Sequence, residues 1–106
     1  MRIAVPTIGE TSSSCINETL GRSPFIAIYD REMHKYTFFK NPGFQLQDGS
    51  GLKAAEILIK NNTDILLTKE VGRKAYSLLM KEHIIIQLLS TTGTVKSTIN
   101  KFLKKQ

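Results

Sequence analysis

The stretch that decides the fold is residues 20–29, which has the sequence LGRSPFIAIY. Gly21 allows the backbone to bend sharply, and Pro24 fixes φ just before an alternating apolar run begins. Apolar residues alternate with period two from Phe25 to Asp30, and again from Lys35 to Lys40. Aromatic and β-branched residues in this alternation predict two antiparallel strands joined by a short turn.

The same bend carries an arginine, Arg22, at the foot of the first hairpin strand. An arginine in this position is placed to donate hydrogen bonds to an anion. The alternative is an ordinary glycine turn in which the guanidinium is merely solvated. The residues of the bend leave both interpretations open.

In the second half of the chain, the spacing of apolar residues changes from period two to a helical period. Apolar residues recur at helical spacing in three segments, Leu52 to Ile59, Val71 to Leu79 and Val95 to Leu103. Two short apolar runs, Asp64 to Thr68 and His83 to Leu89, separate these segments and predict strands. The pattern is therefore an alternation of helices and buried strands.

A further strand is predicted at Arg2 to Pro6, so the order is strand, hairpin, helix, strand, helix, strand, helix. The alternating second half implies right-handed crossovers between parallel strands. The hairpin adds antiparallel strands at one edge. The sequence thus predicts an α/β fold as a single domain over residues 1–106, with a mixed five-stranded sheet and helices on both faces.

Composition limits the classes of function. The chain has 106 residues and a net charge of +6, which favours an anionic partner such as nucleic acid, a phosphorylated ligand or a negatively charged cluster. The single cysteine, Cys15, excludes an internal disulfide framework. The longest apolar runs, such as Ile84 to Ile86, are too short to cross a bilayer, and no secretory signal pattern is evident. A cytoplasmic protein is expected.

The predicted topology also indicates where a ligand would bind. In open sheets of this kind, ligands lie beyond the carboxyl ends of the parallel strands, near the switch point. Three predicted loops converge there, at Thr7 to Thr19, Thr68 to Gly72 and Ser90 to Thr94. A longer loop, Asn41 to Gly51, could close over them if it folds inward. We expect the functional site at this end of the sheet.

Short motifs run through almost the whole chain in a characteristic order: MRIAVPT at 1–7, LGRSPF at 20–25, NP at 41–42, GSG at 49–51, VG at 71–72 and GTV at 93–95. Their order and spacing resemble the dinitrogenase iron-molybdenum cofactor biosynthesis family. The resemblance implies a ribonuclease-H-like fold, in agreement with the mixed sheet. It also implies binding and delivery of an iron-sulfur or iron-molybdenum-type cluster, without catalysis.

A cluster carrier needs few strong ligands because the cluster must be released again, and a soft thiolate suits iron-sulfur metals. The resemblance therefore implies Cys15 as the metal ligand, although a buried cysteine that packs as a small apolar residue is the alternative. Arg22 and Gly21, with the backbone amides of Gly49-Ser50-Gly51 and Thr92-Gly93-Thr94, are expected to hold the negative cluster. The implied partner is a cluster donor or acceptor protein.

No histidine is predicted to be a metal ligand at this site. Many relatives carry a histidine and an aromatic residue just before the Gly-Arg pair, where this chain has Thr19-Leu20. His34 and His83 are far apart in sequence and lack metal-ligand spacing, so a closed zinc site with Cys15 is not predicted. His83 follows a predicted helix, where it is placed to stabilise the helix dipole.

Two other classes of function are alternatives to the carrier. Two-metal nuclease chemistry needs several clustered carboxylates, and the only candidates, Glu56 and Asp64, do not complete such a site, so no enzyme is predicted. A nucleic-acid or other anionic-ligand binding module is the alternative that the basic charge allows. Its stacking residues would be the hairpin aromatics, which strands also favour for core packing: Tyr29, Tyr36, Phe38 and Phe39.

Overall fold

A computed structural model describes residues 1–46 and 48–105, so Gln47 of the predicted long loop and Gln106 of the predicted domain lie outside the described residues. The strands are β1 (Arg2–Thr7), β2 (Phe25–Asp30), β3 (Lys35–Lys40), β4 (Ile65–Thr68) and β5 (Ile85–Leu88). The helices are α1 (Ser50–Lys60), α2 (Arg73–Lys81) and α3 (Val95–Lys104). The predicted element order is confirmed, and both hairpin strands have the predicted bounds.

The strands form one five-stranded sheet in the order β3-β2-β1-β4-β5. The hairpin pairs antiparallel with β1, placing Val5 opposite Ala27. The crossover strands β4 and β5 run parallel to β1, with Ala4 opposite Leu66 and Leu66 opposite Ile86. The predicted mixed sheet, with its antiparallel hairpin on one side, is therefore confirmed.

Alternate residues of the strands supply two separate cores. Ile26 and Leu66 face α1 and α2, which bury Leu58 and Leu79 against them. On the opposite face, Val5, Ala27 and Leu67 pack against Ile99 and Phe102 of α3. Helices thus cover both faces, as predicted. Within the described residues, no helix is both long enough and apolar enough to span a membrane.

The strand directions give the sheet two distinct ends. We call the end formed by Thr7, Thr68 and Leu88 the carboxyl rim, because the parallel strands finish there. β2 begins and β3 ends at the same rim, since Phe25 pairs with both Thr7 and Lys40. The opposite end, where β1, β4 and β5 begin, is the amino rim. All of the loops that carry predicted site residues therefore leave from the carboxyl rim.

Candidate functional site

The loop after β1 folds back over the end of its own strand. Ile16 forms an antiparallel bridge with Thr7, and the amide of Asn17 donates to the Pro6 carbonyl at 2.8 Å. The amide of Ile8 donates to the carbonyl of Cys15 at 3.0 Å. The segment around Cys15 is consequently held as a short strand on the carboxyl rim.

The other side of this segment is tied to the start of α3. Cys15 forms an antiparallel bridge with Thr94, and the amide of Ile16 donates to the Gly93 carbonyl at 2.9 Å. In return, the amide of Val95 donates to the Ser14 carbonyl at 2.9 Å. The structure therefore brings Cys15 together with the predicted Thr92-Gly93-Thr94 segment.

The cysteine side chain is exposed. It lines an open hollow of about 550 Å³ with residues 16–19, Thr92 and Gly93. The alternative interpretation of Cys15 as a buried core cysteine is wrong, because its backbone is fixed at the rim while its thiol faces solvent. An exposed thiol on a fixed backbone is available as a ligand.

The start of α3 departs from the expectation of a free amide cradle. The Thr94 amide donates to Ser97 Oγ and the Ser97 amide to Thr94 Oγ1, both at 3.0 Å, which is a capping box. The Val95 and Lys96 amides donate to carbonyls of the loop after β1, each at 2.9 Å. Thr94 cannot present its amide to an anion in this arrangement, since that amide is already satisfied within the protein.

A second group of predicted residues lies at the start of α1. A Cβ added to Gly21 would fall 2.8 Å from the Gly51 nitrogen and 2.9 Å from Ser50 Oγ, so the bend abuts the first turn of the helix. Gly49 precedes α1 with φ of 77°, in the left-handed region that glycine adopts without strain. The structure thus brings Gly21 together with Gly49-Ser50-Gly51.

The bend at Gly21 is organised by Asn41, which belongs to the NP motif at 41–42 but was not predicted to contact the bend. Its buried amide nitrogen donates to the carbonyls of Leu20, Gly21 and Ser23 at 3.2, 3.3 and 2.9 Å. Its oxygen accepts from the Gly43 amide at 3.1 Å. An asparagine before a proline at a strand end is a typical local signal for such a turn.

Arg22 extends from this bend into solvent, and its guanidinium donates to the carbonyl of Leu46 in the long loop. The arginine is therefore not merely solvated. The long loop folds toward the bend and α1, since Gly43 also lies against Ser50. Arg22 and the α1 start consequently form one group on the α1 side of the carboxyl rim.

The two groups share a rim but occupy different sides of it. The Cys15 group lies at the start of α3, and the Arg22 group lies at the start of α1, on the opposite face of the sheet. Residues 18–20 run between them along the loop after β4, where Thr19 bridges Glu70 and the Glu70 amide donates to the Glu18 carbonyl at 2.8 Å. The predicted residues thus converge on one end of the molecule as two clusters.

Both histidines lie at the other end. His34 is in the turn between β2 and β3, and His83 precedes β5, so each is at the amino rim. β1 has six residues and spans about 20 Å between the two rims. Neither imidazole can therefore bind the same ion as Cys15. Among residues 1–46 and 48–105, no three His, Cys, Asp or Glu side chains come together to hold a metal ion.

The residues considered for nucleic-acid binding and for catalysis have structural contacts away from the carboxyl rim clusters. Tyr29, Tyr36 and Phe38 pack on one another on the α3 side, with ring centroids 4.7 and 6.3 Å apart. Partial burial raises the pKa of the Tyr36 hydroxyl. Phe39 packs against the core on the other face, so the four aromatics do not form one stacking platform.

The two carboxylates considered for catalysis are also separated. The Asp64 side chain accepts from the Arg2 amide at 2.7 Å at the amino rim. Glu56 is exposed on α1 and lies 3.8 Å from the Lys53 ammonium. Each carboxylate has a local structural partner, and neither faces the carboxyl rim clusters.

Fold and site together define a small mixed α/β domain with an accessible thiol at the end where its parallel strands finish. The model of the dinitrogenase iron-molybdenum cofactor family matches residues 1–105, and the chain belongs to this family. The resemblance stated from the short motifs is confirmed.

Two solved structures are similar to the chain over nearly its full length. The apo form of the orange protein from Desulfovibrio gigas is 28% identical, with a TM-score of 0.91 over 99% of this chain and 88% of that one. A NifB-like protein from Thermotoga, described as belonging to the DUF35 family, is 26% identical, with a TM-score of 0.85 over 97% and 87% of the two chains. No curated sequence matches the chain. The family and these relatives indicate a small cofactor-carrier domain.

Proposed function

We propose that the protein is a non-catalytic carrier of an iron-sulfur or iron-molybdenum-type cluster. The observation that carries the proposal is the exposed Cys15 thiol in the hollow at the carboxyl rim of a member of this family. Thiolate is the protein ligand that iron-sulfur metals prefer. One accessible thiol in an open hollow suits a cargo that is bound and then given up.

The backbone around the thiol supports binding without rearrangement. The Cys15 carbonyl accepts from the Ile8 amide at 3.0 Å and from the Thr7 hydroxyl at 3.2 Å, and the Thr94 bridge fixes the opposite side. These contacts hold the ligand position before the cluster arrives, which reduces the entropy lost on binding. Thr92 and Gly93 line the same hollow and would contact the cargo beside Cys15.

The Arg22 group would contribute through charge. Among the described residues, no side chain caps the start of α1 and no acidic residue lies in its first turn, and Asp48, two residues before the helix, is the carboxylate nearest in sequence to the positive end of its dipole. Arg22 lies on the neighbouring bend, next to Gly21. Together with Gly49-Ser50-Gly51 they supply positive potential at the rim where an anionic cluster would bind.

The fold class of the domain and its protein partner are also inferred. We infer that the domain is of the ribonuclease-H-like class, which is supported by the order β3-β2-β1-β4-β5 with β2 antiparallel to its neighbours. A carrier exchanges its cargo with other proteins, so we infer a cluster donor or acceptor protein as the partner.

Anaerobic reconstitution tests the carrier function. Purified protein is incubated with iron, sulfide and molybdate, desalted, and measured for bound metal and visible absorption. We expect the wild type and Ser13→Ala, an exposed change in the same loop, to retain a coloured cluster, and Cys15→Ala to lose most of it. Arg22→Gln should retain less than the wild type. Equal metal retention by Cys15→Ala would exclude Cys15 as the anchor, and no retention by the wild type would refute the carrier function.

A further inference from the structure

The sheet has one edge that is both apolar and open. Within the described residues, β5 is an edge strand with the sequence IIQL, and it has no charged residue. Ile85 and Leu88 expose 63% and 62% of their surface, and Tyr76 and Met80 on the adjoining α2 expose 46% and 49%. An exposed apolar edge strand is a template for pairing with another chain.

The opposite edge strand of the sheet, β3, carries charged residues that protect it against pairing with another chain. β3 begins with Lys35 and ends with Lys40, and both lysines are exposed. Lysines on an edge strand oppose pairing, because a second strand would have to desolvate their charges. The contrast between the two edges indicates that β5 is left open for a partner.

The backbone of β5 offers hydrogen bonds on its open side. The amide of Ile85 donates to the Asp64 carbonyl at 3.0 Å, and the amide of Leu89 donates to the Thr68 carbonyl at 2.8 Å. Alternate residues of a strand direct their backbone groups to opposite sides. The amides and carbonyls of Ile86 and Leu88 therefore face outward, away from β4.

The two faces beside this edge differ in chemistry. On the α2 side, a hollow of about 380 Å³ is lined mainly by apolar side chains, including Tyr76, Met80 and Ile86. On the α3 side, a cavity of about 340 Å³ is lined by Gln87 of β5 together with Lys101 and Lys105. A strand added at β5 would place alternate side chains on an apolar face and on a basic face.

We propose that an extended acidic segment of a partner protein adds to β5 as a further strand. Its apolar side chains pack beside Tyr76 and Met80, and the alternating acidic side chains face Lys101 and Lys105. A second copy of this chain fits less well, because antiparallel pairing of two β5 strands would bring both pairs of lysines to one face. Each copy also carries a net charge of +6. This docking does not depend on the carrier function.

Two seven-residue peptides serve as probes: one alternates valine with glutamate, and its matched control alternates valine with lysine. We expect the acidic peptide to shift the amide resonances of Ile86 and Leu88 and to slow their hydrogen exchange, and the basic peptide to do neither. In Lys101→Glu/Lys105→Glu the preference should reverse, with the acidic peptide bound about tenfold more weakly than by the wild type. Lys35→Glu/Lys40→Glu, at the protected edge, should bind the acidic peptide as the wild type does.

Four outcomes would overturn the proposal. They are equal binding of the two peptides, an absence of shifts at Ile86 and Leu88, shifts confined to β3, and acidic-peptide binding unchanged by the charge reversal at Lys101 and Lys105. Sedimentation identifies the competing occupant. A wild-type dimer that Leu88→Lys converts to a monomer would assign this edge to a second copy.

Discussion

Cys15 and Thr94 pair through an antiparallel bridge, although they belong to loops that follow different strands. Their pairing joins the loop after β1 to the residue that caps α3. The amides of Val95 and Lys96 complete the junction by donating to carbonyls of the same loop, each at 2.9 Å. The proposed ligand is therefore positioned by the start of a helix that packs on the sheet, and not by its own loop alone.

Thr94→Ala should destabilise the protein by about 1 kcal/mol, because the Ser97 amide loses its side-chain acceptor at the start of α3. Urea unfolding followed by circular dichroism measures the change. Thr91→Ala, an exposed change just before the cap, is the matched control and should be close to the wild type. An equal loss in the two variants would show that the capping contact contributes nothing specific.

Asn41→Ala should lower the free energy of unfolding by about 2 to 3 kcal/mol, since the carbonyls of Leu20, Gly21 and Ser23 lose a common buried donor. The measurement is again the free energy of unfolding in urea. Gln45→Ala, an exposed position in the same loop, is the control. If Asn41→Ala were as stable as Gln45→Ala, the bend that carries Arg22 would not depend on this side chain.

Gly21→Ala should destabilise the protein, whereas Gly72→Ala should leave its stability nearly unchanged. At Gly21 the new methyl would lie 2.8 Å from the backbone nitrogen of Gly51, so the bend and α1 must separate, at a cost of about 1 to 3 kcal/mol.

At Gly72 a Cβ meets nothing within 4 Å, and the backbone is extended with φ of −66°. Gly72 is also the N-cap residue of α2, where alanine is less favourable than glycine, and this loss offsets the gain from restricting the unfolded chain, so the free energy of unfolding should change by no more than about 0.5 kcal/mol. Thermal unfolding of the pair measures both effects. A Gly21→Ala variant as stable as Gly72→Ala would contradict the close approach.

Asp30 should contribute a pH-dependent part of the stability at the amino rim. The Met33 amide, which donates to its carboxylate at 3.1 Å, and then Arg2, at 3.4 Å, hold the pKa of Asp30 below its ordinary value of 3.8. The folded pKa is the lower one, so the stabilisation is present above pH 3.8 and is lost as the pH falls through the folded value.

Asp30→Asn should therefore be less stable than the wild type at neutral pH, and its stability should fall less steeply on acidification. Urea unfolding between neutral pH and about pH 3 measures the slope. Glu10→Gln, which removes an exposed carboxylate from the loop after β1, is the comparison variant. If the stability of Asp30→Asn fell as steeply on acidification as that of the wild type, the pKa of Asp30 would not be linked to folding.

Local patterns were sufficient for the element order and for the hairpin bounds, because period-two alternation in residues 25–40 is a property of neighbouring residues. The residues at which helices begin were predicted less accurately. The helical pattern of α2 begins at Val71, but the helix begins at Arg73. Glu70 is held by its bridge to Thr19, and Gly72 is extended, so tertiary contacts delay the first turn.

The site was predicted to the correct end of the sheet, because topology alone directs the loops after parallel strands to one rim. Its division into two clusters was not predictable. The expected amide at Thr94 is occupied by Ser97, and the turn at Gly21 depends on Asn41, which lies beyond the hairpin in sequence. The contact between Asn41 and Gly21 joins residues 20 positions apart, whose proximity exists only in the folded chain, whereas the contact between Thr94 and Ser97 is local.

The sequence by itself determined a mixed α/β domain of this family, with its only thiol in the loop after the first strand, because periodicity and motif order are encoded locally. Only the tertiary structure decided that the Cys15 thiol faces solvent beside Gly93, that Arg22 belongs to the α1 side of the rim, and that β5 is an open edge. These features arise from backbone pairing between distant segments, which depends on how the strands and helices pack together in three dimensions.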